Sequence, residues 1–191
     1  MLVMETVFTD YIHFFYKFLG KIKRERKDKM LFLASKLHQL DFGKLMEVYV
    51  EGNQENGALM CPELSEQVQL LQAEQAFYQY LAESFFPTKG AVYAIWEEQG
   101  VYISALRLEP YEDGLLLAAL ETAPSFRRQG YAAQLVRAVQ KTFPQKIYSH
   151  VSKENRPSLA VHRKCGFSQI LEYARYIDGS VSRNAVTLCY P

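Results

Sequence analysis

The amino-acid sequence predicts a mixed α/β fold, in which a mostly antiparallel sheet is flanked by helices. The length of 191 residues suits a single domain, and a hydrophobic content of 49% is enough for a sizeable core. Strand-like and helix-like segments also alternate along the chain, which is typical of a mixed sheet. The predicted order is one strand, two helices, three strands, a helix, a strand, a helix and two strands.

The first 29 residues are predicted to be an extension, and residues 30–191 the folded domain. Aromatic residues at near-helical spacing predict a short amphipathic helix within the extension. Seven basic residues lie between Lys17 and Lys29, against two acidic ones. We interpret this run as a solvated linker, although an arm for an anionic partner and a natural start at Met30 stay open.

The elements over residues 30–87 are predicted from helix-capping residues, helix-breaking residues and the spacing of apolar residues. Asp41 is a suitable helix cap, Asn and Gly residues favour a loop over 52–61, and Pro87 is expected to end a helix. In order, these elements are a strand over 30–36, a helix from 41 to 49, that loop, and a helix from Pro62 or Ser65 to Pro87.

The elements over residues 91–190 are predicted from hairpin signals and from the residues that begin and end two further helices. Asp113-Gly114 is a strong hairpin signal and Gln99-Gly100 a weaker one, so the three strands around them are predicted to form an antiparallel meander. Glycine follows the second short helix, at Gly166. The predicted ranges are strands over 91–97, 102–109 and 115–122, a helix over 131–143, a strand over 146–151, a helix over 157–165, and strands over 167–177 and 184–190.

Composition excludes several classes of protein. The formal net charge of +1 lacks the basic excess of a nucleic-acid binder, and no apolar stretch approaches the length of a membrane span. Cys61, Cys165 and Cys189 are odd in number and far apart. This spacing argues against a disulfide framework and predicts no metal site, and it favours reduced thiols in a cytoplasmic protein.

The segment from Leu120 to Ala133, LETAPSFRRQGYAA, is the first with chemical content. A strand runs into a short loop with two arginines and Gly130, and the loop opens a helix. The first amides of a helix have no internal partners and favour negative charge, so this arrangement predicts a phosphate site. A P-loop and a dinucleotide fingerprint are excluded, because the chain has no Gly-Lys-Ser/Thr and the loop has one glycine. A plain strand-to-helix turn is the alternative.

A second segment, KENRPSLAVHRKCGF from Lys153 to Phe167, favours the phosphate site. Together with RRQGYA it resembles the two signatures of the GNAT acetyltransferase superfamily, over roughly residues 30–190. The resemblance implies a sheet with a splayed strand pair at the cofactor site, and direct transfer of an acetyl group from acetyl-CoA to an amine. The implied cofactor-binding residues are Leu120, Thr122, Arg127, Arg128, Gln129, Gly130, Tyr131, Ala132, Ala133 and Asn155.

The candidate catalytic residues depart further from the pattern of the family than the cofactor-binding residues do. His162 stands where the family often has a tyrosine, and a charged histidine there is able to protonate the departing thiolate. His150, on the strand after Pro144, is the candidate base. Some relatives carry a glutamate at the position of Leu116. For both histidines a purely structural role is the alternative, and Cys165 is interpreted as a packing residue.

Three functions remain from the sequence. The leading one is an N-acyltransferase acting on a small-molecule or peptide amine, with no nucleic-acid partner. A catalytically inactive acyl-CoA-binding module is the second, and a partner-binding α/β protein the third. The sequence does not decide the acceptor or the oligomeric state, and a homodimer is compatible with it.

Overall fold

A computed structural model describes residues 29–191 of the chain. The predicted extension therefore lies outside the described residues, apart from Lys29, the first residue of β1. The elements, in chain order, are β1 (Lys29–Ala34), α1 (Phe42–Met60), α2 (Glu66–Tyr80), β2 (Val92–Glu98), β3 (Val101–Tyr111), β4 (Gly114–Thr122), α3 (Tyr131–Thr142), β5 (Lys146–Ser152), α4 (Arg156–Lys164), β6 (Ser168–Leu171), β7 (Ala174–Arg175), β8 (Val181–Ser182) and β9 (Ala185–Tyr190).

The sheet confirms the predicted mixed, mostly antiparallel class. Its seven strands lie in the order β1-β2-β3-β4-β5-β9-β6, and β7 pairs with β8 in a separate hairpin. Only the β4–β5 pair is parallel; the other pairs of the large sheet are antiparallel. Helix α3 connects β4 to β5, because parallel neighbours need a crossover connection.

The two faces of the sheet bury separate cores. Side chains alternate along a strand, so Leu106 and Leu108 of β3 face the helices α3 and α4, while Ala105 faces α1 and α2. Helix α3 adds Leu135, Val136 and Val139 to the first core. The second core is rich in aromatic residues from α1, α2, the helical turn that follows α2, and β2: Tyr49, Phe77, Phe85 and Tyr93.

The predicted loop over 52–61 is wrong, because α1 continues without a break to Met60. Asn53 and Gly57 are buried in the packed pair of α1 and α2. A Cβ at Gly57 would lie 2.4 Å from the carbonyl oxygen of Gln69, so glycine here permits close helix packing. Burial between the two helices outweighs the weak helix propensity of Asn and Gly.

The predicted strand over 167–177 is also inaccurate, because the structure divides it into β6 and β7. Strand β6 pairs with β9, whereas Ala174 of β7 pairs with Ser182 of β8. The turn at Asp178 therefore closes the small β7–β8 hairpin and not a hairpin of two long strands. The Asp178 carboxylate accepts hydrogen bonds from the amide and the hydroxyl of Ser180, which stabilise this turn.

Candidate active site

Strands β4 and β5 separate where the resemblance places the cofactor. They pair only between Gly114–Leu117 and Lys146–Ser149, although β4 continues to Thr122 and β5 to Ser152. The backbone of β4 beyond Leu117 therefore has no strand partner on its β5 side. This opening is the splayed strand pair expected from the sequence.

A β-bulge bends β4 beside the opening. Ala105 pairs with Glu121 and Arg107 with Ala118, so Ala119 and Leu120 together face one residue of β3. Ala119 has a φ of 51°, which is unusual for a residue with a side chain. Its carbonyl oxygen accepts a hydrogen bond of 2.7 Å from Tyr49 Oη of α1. The bulge re-aims the backbone at the point where the strands diverge.

The N-terminus of α3 lies at the end of the loop that follows β4. Gly130 is the N-cap, with a φ of 87°, and no side chain caps the helix. A Cβ at Gly130 would meet nothing closer than Gln134 Nε2 at 4.0 Å, so backbone conformation, and not crowding, requires the glycine. The first amides of α3 therefore remain available to an anion.

Most side chains of the predicted phosphate loop contact other parts of the protein. Arg127 bonds Glu51, donates from Nε to Thr122 O at 3.1 Å and lies 3.9 Å from Glu121. Gln129 donates to Ser125 O at 3.2 Å, and Tyr131 Oη lies 3.3 Å from Glu98. Arg128 is exposed and forms no ion pair within residues 29–191. The backbone and Arg128 are thus the groups that remain for an anion.

The other predicted cofactor residues have identifiable local roles. Ala133 is buried, Ala132 is half-buried, and Leu120 packs against the core beneath α3. Thr122 donates from Oγ1 to Ser104 Oγ at 3.0 Å. Asn155 caps α4, because its Oδ1 accepts from the Ser158 amide at 3.0 Å, and it is exposed.

His162 lies buried in the core. Its side chain is 1% exposed and packs edge-on against Phe167, with ring centroids 5.0 Å apart. Nδ1 lies 2.8 Å from Ser158 O, which only accepts, so this nitrogen carries the proton. Burial lowers the pKa of His162. The neutral ring presents a lone pair at Nε2, so proton donation from it requires a charged state that burial opposes.

A cavity of about 670 Å³ lies on the α1–α2 face, next to the opening between β4 and β5. His150 lines this cavity, unlike His162. The Thr187 hydroxyl donates to Tyr173 O at 2.7 Å, so His150 Nδ1, 3.2 Å from Thr187 Oγ1, is the donor in their hydrogen bond. His150 Nε2 then holds the lone pair, and it has no partner within residues 29–191. Burial lowers the pKa of His150, which favours the neutral base.

Glu109 is a second basic group in this cavity. It pairs across the sheet with Leu116. Burial raises the pKa of Glu109, and the positive charge of Arg107 partly opposes that increase. Alternation along β3 places Glu109 on the same side of the sheet as Arg107.

A second cavity, of about 400 Å³, lies between α1, α2 and β4. The two cavities share Arg107 and Ala119. Arg107 was not identified from the sequence, since a lone arginine in a strand has no motif. Within residues 29–191 no group of three His, Cys, Asp or Glu side chains is placed to hold a metal, and no helix is long and apolar enough to cross a bilayer. Cys61, Cys165 and Cys189 are free thiols.

The chain is an α/β protein in which an uncapped helix end lies beside an open parallel strand pair, an arrangement that suits an anionic ligand. The sequence over residues 59–167 matches the acetyltransferase (GNAT) family model. This match covers more than half of the chain. The chain therefore belongs to the GNAT acetyltransferase family, as its two motifs indicate.

Solved structures support the fold. The PaiA N-acetyltransferase of Thermoplasma acidophilum, solved with coenzyme A, has a TM-score of 0.57 and 12% identity, over 84% of this chain and 98% of that one. The ribosomal-protein-S18-alanine N-acetyltransferase of Escherichia coli has a TM-score of 0.51 and 16% identity, over 85% and 94%. A spermidine N-acetyltransferase of Vibrio cholerae, solved with coenzyme A and spermine, has a TM-score of 0.51 and 16% identity, over 84% and 94%. No curated protein sequence matches the chain.

Proposed function

We propose that the protein is an acetyl-CoA-dependent N-acetyltransferase, which moves an acetyl group directly to an amine. The observation that supports this most is the unpaired edge of β4 beyond Leu117, next to the uncapped N-terminus of α3. An extended chain with amide groups is able to bond such an edge, and a diphosphate suits the helix end. Two of the similar structures contain coenzyme A.

The described residues fit this cosubstrate. Gly130 keeps the left-handed conformation that exposes the first amides of α3, and Arg128 is free of ion pairs with residues 29–191. Leu120 and Thr122 offer backbone groups on the open edge of β4, and Asn155 retains a free amide nitrogen. The remaining residues of the set are Arg127, Gln129, Tyr131, Ala132 and Ala133.

The transfer needs a neutral amine and a proton acceptor. The amine forms an N–C bond to the acetyl carbon, the C–S bond breaks, and the amine proton passes to a base. We assign the base to His150, because it lines the cavity, its buried Nε2 has no hydrogen-bond partner within residues 29–191, and burial keeps the ring neutral. Glu109 is the alternative acceptor. The thiolate takes a proton from water. His162, the other candidate donor, would first have to become charged, which its burial opposes.

The acceptor is a small-molecule or peptide amine, and we place the reaction in the cytoplasm. Three free, widely separated cysteines are typical of a reducing compartment. The similar structures include enzymes named for spermidine and for a ribosomal-protein alanine. These names cover both a small amine and a peptide amine.

Binding and turnover together test the proposal. Acetyl-CoA is expected to raise the unfolding temperature, because a ligand of the native state stabilises it. Release of free thiol is then followed with a panel of amino acids, polyamines and peptides. Stabilisation with turnover supports the enzyme, and stabilisation without turnover on any amine identifies an inactive acyl-CoA-binding module. Absence of stabilisation by both acetyl-CoA and CoA contradicts the proposal.

A further inference from the structure

We propose that Arg107 binds the carboxylate of the acceptor, and that the acceptor is an α-amino acid with an apolar side chain. This inference rests on the proposed N-acetyltransferase function and specifies its substrate class. It follows from the position, the partners and the charge surroundings of one guanidinium group.

Arg107 lies beside the bulge of β4, in the cavities where we place the acceptor. On β3 it pairs with Ala118, directly before the bulge residue Ala119. It also lines both the larger and the smaller cavity. A group bound by Arg107 therefore lies beside the opening between β4 and β5, with room on either side.

Aromatic rings fix the guanidinium without using its hydrogen-bond donors. Arg107 Cζ lies 4.6 Å from the ring centroid of Tyr80 and 5.8 Å from that of Phe85. Its Nε is buried and has no hydrogen-bond partner within residues 29–191. An unpaired buried N–H is unfavourable, and the Nε edge of a guanidinium matches the two oxygens of a carboxylate.

No carboxylate that lines the two cavities forms an ion pair with Arg107. Glu109, Glu121 and Asp178 line these cavities, yet none of them forms an ion pair with Arg107. Asp178 accepts from Ser180, and Glu121 lies 3.9 Å from Arg127. A polyamine would place a cation against Arg107, and a polyanion would meet several carboxylates. A zwitterion satisfies both signs of charge.

The smaller cavity accounts for the apolar side chain. Its walls are mainly apolar and come from both helices of the α1–α2 face: Leu59, Met60, Ala73, Ala76 and Phe77. An amino acid that places its carboxylate on Arg107 has this cavity within reach of its side chain, because Arg107 itself lines it. Apolar burial there favours leucine, methionine or phenylalanine as the free substrate.

The experiment compares acids with amides in wild-type and variant proteins. L-leucine, L-methionine and L-phenylalanine are each paired with the corresponding amide, and kcat/KM is measured with acetyl-CoA. The first variant is Arg107→Met, which keeps the packing against the two aromatic rings. The second is Arg107→Lys, which keeps the positive charge but loses the paired N–H donors that bind both oxygens of a carboxylate. Arg183→Met, an exposed arginine between β8 and β9, is the control.

We expect Arg107→Met to lower kcat/KM for the acids about 10- to 100-fold relative to the amides. The comparison of wild type with variant cancels the different basicity of acid and amide amines. Arg107→Lys is expected to retain part of the preference, and Arg183→Met all of it. Equal losses for acids and amides, or a wild type that prefers amides or polyamines, would overturn the inference.

A binding measurement separates this inference from the proposed function. L-phenylalanine and its amide are titrated calorimetrically into the protein, with and without CoA. If CoA fails to bind, the proposed function fails, while tighter binding of the acid that depends on Arg107 still supports the carboxylate site. If CoA binds but the acid binds no better than the amide, the inference alone fails.

Discussion

The two faces of the sheet contribute to the site in different ways. On the side of α3 and α4, the groups available to a ligand are mostly backbone: the open edge of β4 and the amides after Gly130. On the side of α1 and α2 they are side chains: Arg107, Glu109 and His150. Backbone recognition depends on conformation and leaves a glycine signature in the sequence. Side-chain recognition depends on which strands meet, and it leaves no local motif.

The strongest test of this difference removes a side chain from the α1–α2 face. His150→Gln is expected to lower kcat by 10²- to 10⁴-fold with little effect on acetyl-CoA affinity, because the proton acceptor is lost and the backbone site is untouched. Steady-state kinetics and calorimetry measure the two effects. Weaker acetyl-CoA binding in this variant would contradict the assignment of cosubstrate binding and proton transfer to different faces of the sheet.

The pH profile identifies the base more closely. Protonation of the acceptor amine lowers kcat/KM at higher pH, and burial holds the pKa of His150 below its ordinary value of 6.5. Protonation of His150 is therefore expected to add a further fall in wild-type kcat/KM on the acid side of that value. His150→Gln removes this fall. Glu109→Gln is the matched variant, and a profile that changes there and not in His150→Gln assigns the base to Glu109.

The next test changes the backbone on the opposite face. Gly130→Val is expected to weaken CoA binding about 10- to 100-fold, because a β-branched residue resists a φ of 87° and the loop relaxes away from the amide-exposing conformation. Gly100→Val is the control, since Gly100 has a φ of 77° with open space around it and lies in the β2–β3 turn. Equal CoA affinity in the two variants would contradict a backbone anion site.

A third test affects stability on the α1–α2 face. Gly57→Val is expected to destabilise the protein by about 1–3 kcal/mol, since a Cβ there meets Gln69 backbone. Gly52→Val, on the same helix with nothing within 4 Å, is expected to be nearly neutral. Chemical denaturation measures both, and CoA affinity should be kept in both. A Gly57 variant as stable as wild type would show that the two helices need no close contact.

The smallest expected effect concerns His162 and the dependence of stability on pH. Burial lowers the pKa of His162 in the folded state, so the unfolded chain binds its proton more readily. This contribution to stability is complete above pH 6.5 and declines as pH falls through the folded pKa, by at most about 1.4 kcal/mol per pH unit. His162→Phe is expected to flatten the acid side of the stability curve. An unchanged curve would indicate that folding does not shift the pKa of His162.

The sequence predicted the sheet class and the order of the elements as far as α4, because those features depend on local signals such as Asp113-Gly114, Gly130 and the alternation of apolar residues. The splayed strand pair was expected from the resemblance to the GNAT family. The prediction from the sequence failed over 52–61, where the burial of Gly57 against α2 is a tertiary effect with no local sign. It failed again near Glu172, because the strand changes partners there.

The candidate site was predictable to a different extent on each face. The loop around Gly130 stands out from the residue types alone. The position of His150 in the cavity, and the tautomer set by Thr187, depend on β9 lying next to β5. Arg107 and Glu109 meet the cavity because β3 pairs with β4. Such pairings join residues distant in sequence, and a single sequence without aligned relatives does not contain them.

The hydrogen bond from Tyr49 to Ala119 joins the acceptor-side helix α1 to the bulged strand. Burial raises the pKa of Tyr49, so its hydroxyl stays protonated and remains a donor. A substitution that shifts α1 to suit another acceptor also shifts this carbonyl oxygen. A change of acceptor and a change of rate are therefore coupled through this bond. A variant of α1 that accepts a new substrate is expected to need a second substitution near Tyr49 to restore the position of the Ala119 carbonyl.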